Sequence, residues 1–538
     1  MAMEGSDRVG PQRMIAVTAV LLFAAAALAV GYMLWLKPQA EQELVAQTGA
    51  PSQYRSTVRI ALDSFSGYAP LRSPAFADAL RKDGIKLELV DDKADAKARL
   101  RSLQQGTVQL AVFPLDAYLT AGHAAQAAAG PNAAQAWPAS IVAVLDETVG
   151  ADAVVAWPAV KNVADLDDPS ARLVLTPGSP SELLARVLLA HFSLGRLPAN
   201  WLEPADGAAA VYAKFRADPK TAKKAYVLWE PYVSKAVADG AHVLLDSGKV
   251  KGMIIDTLVA ERRFLADHPD VVEKVVAAWL RTVHTIGRTP DGFATLVADD
   301  AKAAGEPLTP AQARQLAAGV HWKNTLENYG HFGLQDAGTG SGKGDHLEDA
   351  IGRVVRVLVT THGLPADPLP GRASTILFPG TLKALKDRGF HPGKALDVVP
   401  GLGAGTADLD PAAAPKAVVA LPPAAWAKLQ PVGTLRVEPI EFTRGTADLS
   451  IQAQRDLDDI VSHLDTLPTF YLRVEGHARA DGDAEENLKL AQARGDAVVQ
   501  YLLLRHVVPE RIQAVAVPPS SMEGEAQSVS FVLGMPPY

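Results

Sequence analysis

The 538-residue chain contains no cysteine. That excludes a disulfide framework, a thiolate metal site, a cysteine nucleophile and the acylated cysteine of a lipoprotein. Aromatic residues make up only 6% of it, and lysine and arginine nowhere form a cluster. With 60 acidic against 52 basic side chains and a net charge of −8, it lacks the basic patch that nucleic-acid binding requires. Its 13 histidines are scattered, with no Ser/His/Asp arrangement and no metal-ligand spacing. Neither an enzyme, a bound metal nor a cofactor is therefore expected. The apolar share of 48% suffices for folded cores, and the length allows about three domains.

One apolar run is long. Met14–Leu36, MIAVTAVLLFAAAALAVGYMLWL, holds no charge and no proline. At about 23 residues it can cross the ~30 Å hydrocarbon core as a helix. Arg8 and Arg13 precede it and Lys37 follows. This small basic excess favours residues 1–13 in the cytoplasm and the remaining ~500 residues outside. The Ala-Ala-Ala-Leu-Ala stretch also suits a signal peptidase, but the run continues through Tyr32, Leu34, Trp35 and Leu36, past a short signal core. Tyr32 and Trp35 fit an interfacial belt. The expectation is a retained single-pass inner-membrane anchor with the bulk of the chain in the periplasm; a cleaved signal or a buried helix is the alternative. A polar connector, 37–56, opens at Pro38.

Strand and helix patterns then alternate, the sign of an α/β fold. Strands are predicted at Ser56–Leu62, Lys86–Val90, Val108–Phe113, Ser140–Leu145, Ala153–Ala156, Arg172–Leu175, Tyr226–Trp229 and His242–Leu245. Helices are predicted at Phe76–Lys82, Ala94–Gln105, Glu182–Leu194 and Val271–Ile286. Several stretches stand out: IALDSFSGYAP at Ile60–Pro70, Asp83–Ile85, Leu103–Gly106, TPGSPSE at Thr176–Glu182, WEPYV at Trp229–Val233 and HPDVV at His268–Val272. In this order they resemble the periplasmic solute-binding proteins of nitrate/sulfonate/thiamine-precursor type. The resemblance covers roughly 57–395 and implies two α/β lobes closing on a small ligand, the second near 147–245.

In open α/β sheets a ligand lies beyond the carboxyl ends of strands, at helix N-termini. The loops there supply Ser64, Ser66 and Tyr68, then Asp116, then Ser179 and Ser181. The two serines open a helix; their hydroxyls and amides either hold a carboxylate or oxyanion, or Ser181 merely caps it, with Glu182 supporting the first turn. Asp146 and Glu230 stand at other loop ends, and no arginine lies in these motifs. That set favours a neutral or amine-bearing ligand over a bare sulfonate, although each carboxylate alone also suits a cap or an ion pair.

The glycine-rich stretch Gly338–Gly344 is not a phosphate loop. Gly344 stands where Ser or Thr should follow Lys343, and the leading glycine, Gly338, is one position too close. Residues 396–433 form an Ala/Pro-rich tether with no core of its own. Residues 434–538 read as a small α+β unit. Its predicted strands are Val437–Phe442, Phe470–Glu475, Ile512–Val517 and Val529–Leu533, and its helices Leu449–Leu464 and Glu485–His506. Ile440–Phe442 with Ala447–Ser450, then Val474–His477, then Asn487–Arg494 resemble the C-terminal peptidoglycan-associating domain of the OmpA family. In that family an Asp takes the ammonium of the stem-peptide diaminopimelate and an Arg its carboxylate, a charge-assisted pair. The resemblance assigns peptidoglycan contacts to Asn487 and Arg494, which share a helical face. The family's Gly-His-Thr-Asp is here Gly476-His-Ala-Arg479, so a cation, Arg479, replaces the anion. Asp481 or Asp483 could substitute, or the fold could be kept without its ligand.

The resulting expectation is a membrane-anchored, non-enzymatic periplasmic solute receptor with a wall-associating domain, working with an ABC permease in uptake or sensing. The rival expectation is an envelope scaffold with both sites degenerate. A third, an enzyme related to pyrimidine synthases, lacks a His/Cys set to support it.

Overall fold

The computed structural model describes residues 54–130, 137–335, 346–394, 409–413, 418–438, 440, 442–443, 445–478, 482–518 and 529–536. The apolar run Met14–Leu36, the glycine-rich stretch at 338–344, Arg479 and Asp481 lie outside the described residues. Among the described residues no helix is long and apolar enough to cross a membrane. Residues 54–57 and 84–86 belong to one unit, in which Arg55 N–H donates to the Gly84 carbonyl at 2.7 Å. Residues 58–83 and those from 87 onward belong to the other.

The first strands are β1 (Ser56–Leu62), β2 (Ile85–Asp91), β3 (Leu110–Pro114) and β4 (Ala139–Thr148), with helices α1 (Pro74–Lys82), α2 (Ala96–Gln104) and α3 (Leu115–Ala129) between them. The chain continues through β5 (Asp152–Ala156), β6 (Arg172–Leu175), α4 (Pro180–His191), β7 (Leu202–Pro204), β8 (Lys224–Trp229) and β9 (His242–Asp246). It then enters β10 (Ile255–Glu261), α5 (Pro269–Gly287) and β11 (Val320–Trp322). The C-terminal part holds β12 (Gln430–Thr434), α6 (Ile451–Thr466), β13 (Tyr471–His477), α7 (Ala484–Leu504), β14 (Ile512–Val517) and β15 (Val529–Met535).

These strands form three sheets, ordered β11-β4-β10-β3-β1-β2, β7-β6-β8-β5-β9 and β12-β15-β13-β14. The chain leaves the first sheet after β4, builds the second, and returns through β10, which lies antiparallel between β3 and β4. Two crossovers therefore join the first two sheets. Strands β4 and β10 are buried along almost their whole length. Covered on both faces, they read as apolar runs instead of alternating patterns, and β10 accordingly escapes a sequence search for alternation. The amphipathic α5 buries Val272, Val275, Val276, Trp279 and Leu280 along one side and packs against α1.

The C-terminal sheet departs from the sequence reading at its first strand. It begins with β12, not with Val437–Phe442; Phe442 keeps only an isolated bridge to Leu449. Pro431 fits because β12 is an edge strand needing no donor on its outer side. Gly476 on β13 is required by close packing, since any Cβ would run into the Ala491 carbonyl of α7.

This sheet docks on the chain just after α4. Phe192 bridges Leu435 antiparallel, Ser193 N–H donates to Thr434 O at 2.9 Å, and Arg436 N–H donates to His191 O at 2.8 Å. Beside them the Nδ1 atoms of His191 and His463 lie 2.6 Å apart with the rings edge to face. Only one hydrogen fits between two nitrogens at that distance, so the accepting ring must be neutral and a proton on both facing nitrogens breaks the contact. Burial first, then His463 and Arg356, pushes the His191 pKa down to about 3. His463 is likewise lowered by burial; Arg356 and Arg436 add to this and Asp459 opposes it.

The undocked rings titrate near pH ~6.5, so docking is fully favoured above that value. It weakens as pH falls, by up to about 1.4 kcal/mol per pH unit for each ring. The radius of gyration from small-angle scattering should therefore rise between pH 7.5 and 4.5, and His463→Gln should flatten that rise. A radius constant across the range would contradict the docking account.

Candidate functional site

The loop after β1 turns tightly because Phe65 N–H donates to Asp63 Oδ1 at 2.9 Å. Arg72 ties it from below, donating to the carbonyls of Asp63 and Phe65 and pairing with Asp300. The turn delivers Tyr68, 1% exposed, whose hydroxyl donates to Asp256 Oδ1 at 2.8 Å. A Cβ on Gly67 would lie 3.1 Å from Asp146 Oδ2, and Trp322 Nε1 donates to the Gly67 carbonyl at 2.7 Å. Asp146 on β4 is the ladder partner of both Asp256 on β10 and Trp322 on β11. The sheet thus holds two carboxyls and an indole in one row beneath the loop.

Asp146 is fully buried, and no donor among the described residues reaches either of its oxygens. Burial and the facing Asp256 carboxyl push its pKa well above the usual range. Two carboxyls so placed share a proton more readily than they ionise together. Asp256 is itself pushed up to about 7, by burial first, against the Tyr68 hydrogen bond that pulls it down. Asp152, opening β5 across the crossover, is also pushed to about 7, by burial and then by Asp256, Asp116 and Glu230. Asp116, at the start of α3, reaches about 6 through burial, with the Ala117 amide opposing and Glu182 adding. Glu230, after β8, is raised by burial although Ser234 donates to it through both N–H and O–H. Gln315 Nε2 also donates to Glu230, at 2.9 Å.

These five acids are 0–8% exposed, and no ion pair joins any of them to a described lysine or arginine. The basic groups closest in the fold are engaged elsewhere. Arg99 binds Asp92 and Asp63 and the Val112 carbonyl, Lys323 pairs with Glu147 at 2.5 Å, and Arg186 with Glu182 at 2.7 Å.

Of the residues anticipated from sequence, Tyr68 and Asp146 meet in this centre. Asp116 and Ser179 line a separate cavity of about 260 Å³ with Gly178, Glu182 and Arg186. Glu230 borders a larger one, about 1160 Å³, shared with Gln315 and, from the C-terminal sheet, Gln430. Ser64 is exposed and Ser66 half-buried in the first loop. Ser181 is not a cap: the N-cap is Ser179, whose hydroxyl donates back to Thr176 O, while Ser181 is wholly buried inside the first turn. No described group bonds its Oγ. Asp152, Asp256, Trp322 and Arg99 were not foreseen. A single acid inside the apolar run Ile254–Ala260 was the available signal for Asp256.

In the C-terminal domain Arg494 is 3% exposed, donates from Nε to the Thr446 carbonyl at 3.0 Å and lies 5.0 Å from the Phe442 ring centroid. Asn487, half-buried, stands two turns earlier on α7. Asp483 accepts from the amides of Glu485 and Glu486 as the cap of α7.

Residues 441–525 match the OmpA family. No curated protein matches the sequence. Among solved structures, the alkanesulfonate-binding protein SsuA from Xanthomonas axonopodis pv. citri, bound to MOPS, aligns with a TM-score of 0.43 at 17% identity, over 60% of this chain and 99% of its own. The periplasmic nitrate-binding protein NrtA from Synechocystis PCC 6803 gives 0.39 at 13% identity, over 59% and 91%. The desulfurization enzyme DSZB gives 0.39 at 15% identity, over 62% and 99%.

Tyr68→Phe removes the donor that favours ionised Asp256, so the folded-state pKa of Asp256 should rise further. The cost, about 1–3 kcal/mol for an unsatisfied buried acceptor, should be larger at pH 8 than at pH 5. Urea denaturation at the two pH values measures it, and an equal loss at both would contradict the assignment.

Proposed function

We propose that this chain is a solute receptor of the cell envelope. Met14–Leu36 anchors it in the inner membrane, two α/β lobes in the periplasm close on a small ligand, and the C-terminal domain contacts peptidoglycan. The observation that carries the reading is the gathering of Tyr68, Asp146, Asp152 and Asp256 around the two crossovers that join the lobes. Polar groups concentrated where two lobes meet are what a closing cleft needs. The role is binding without catalysis, coupled to an ABC-type permease for uptake or sensing. The OmpA-family match at 441–525 supports wall association.

A scaffold without ligands is the second reading. It is favoured by Arg494, which is buried against Phe442 and bonded to Thr446, and by Arg479 in place of the family's Asp.

Sedimentation with purified sacculi separates the two. Under the receptor reading the wild type co-sediments and Asn487→Ala, at a half-buried position, weakens this. Arg479→Asp should strengthen it by one charge-assisted hydrogen bond, roughly tenfold. If wild type and Arg479→Asp both stay in the supernatant, the wall-binding half of the proposal falls. A periplasm-dependent reporter fused after Tyr538 should be active and pellet with membranes; activity in the soluble fraction would support cleavage instead.

A further inference from the structure

We propose that the solute is an organic cation, an amine or amidine whose protonated nitrogen enters between Asp146 and Asp256 beside the rings of Phe65, Tyr68 and Trp322. This rests on the receptor reading above and specifies its ligand.

The charge balance is the first reason. Elsewhere the chain neutralises its shielded acids: Glu147 by Lys323, Asp63 and Asp92 by Arg99. At the lobe junction Asp146, Asp256, Asp152, Asp116 and Glu230 are buried with no described cation paired to them. Burial favours protons on these carboxyls in the free protein, and a ligand's positive charge can take the place of those protons.

The second reason is independent of the count. Both oxygens of Asp146 are buried and reached by no amide, hydroxyl or cationic donor among the described residues, only the Asp256 carboxyl facing them, in a row where the other polar groups are held: Asp256 by Tyr68, the Gly67 carbonyl by Trp322. A carboxyl pair facing one another accepts N–H groups from both sides, the geometry an ammonium or amidinium satisfies.

A metal ion is a poorer fit. Among the described residues no three His, Asp or Glu side chains converge to hold one. An anion would enter a field already negative, with Arg99 and Arg186 both committed to carboxylates. Aromatic rings favour a cation as well: Phe65 and Tyr68 meet edge to face at 5.2 Å, and Phe293 stacks on Trp322 at 4.1 Å. Ring faces attract ammonium and guanidinium groups.

Thermal melting of the periplasmic chain at pH 7.5 tests the inference. The probes are ethylenediamine and methylguanidine, against methanesulfonate and nitrate at equal ionic strength. The cationic probes should raise Tm at millimolar concentration and the anions should not. Asp146→Asn keeps the side chain's shape and can donate to Asp256. It should raise the Tm of the ligand-free protein, by about 2–4 °C if it relieves one unpaired buried carboxyl, and abolish the shift given by the cations. Should methanesulfonate or nitrate raise Tm while the cations do not, the cleft still binds a solute and the cationic class is overturned. If neither class shifts Tm and Asp146→Asn lowers it, the carboxyl is structural, and both this inference and the receptor reading fail.

Discussion

Removing a carboxylate from water costs several kcal/mol unless a cation or a set of donors offsets it, and this chain buries five acids near the crossovers between its first two sheets, with donors on Asp256 and Glu230 and every one of the five pushed toward its protonated form. The surrounding structure can be understood as the means of holding those groups in place. Strands β4 and β10, buried along almost their whole length, lock Asp146 and Asp256 into one ladder position. Arg72 clamps the loop that brings Tyr68 to them. Arg99 neutralises Asp63 and Asp92 close by, so the excess negative charge is confined to the junction.

The arrangement also links the lobes to the C-terminal domain. His191, Phe192 and Ser193, at the end of α4, hold residues 434–436 through backbone bonds and His463 of α6 through an imidazole pair. The second sheet contributes Asp152 and, just after β8, Glu230 to the acid set. A displacement of that sheet would move the C-terminal domain with it.

Much of this is legible in the residues. The loops after β1, β3 and β6 follow from strand–helix alternation, and with them Tyr68, Asp116 and Ser179; Asp146 and Glu230 stand at loop ends. Asp256 was hidden because β10 is buried on both faces and shows no alternation. Asp152 follows a bend at Gly150 and becomes significant only when the crossover brings it toward Asp256. Arg99 lies in a helix whose sequence carries no mark of its burial, and α2 turns it inward to 2% exposure. The first C-terminal strand was misplaced because Pro431 and Gly433 disguise β12, a sequence an edge strand tolerates. In each case pairing across long sequence separation decided the outcome, which local pattern does not encode.

The central claim is that a ligand's positive charge replaces protons held by the junction carboxyls. Burial holds Asp152 and Asp256 near 7 and Asp116 near 6, so the free protein carries protons there at pH 6.5. A bound cation lowers those pKa values and must expel protons. Calorimetric titration with methylguanidine at pH 6.5, in two buffers of different ionisation enthalpy, counts them directly. Release of about one proton per ligand, lost in Asp146→Asn with Asp256→Asn, is the predicted result; binding with no proton exchange, or with proton uptake, would contradict the account.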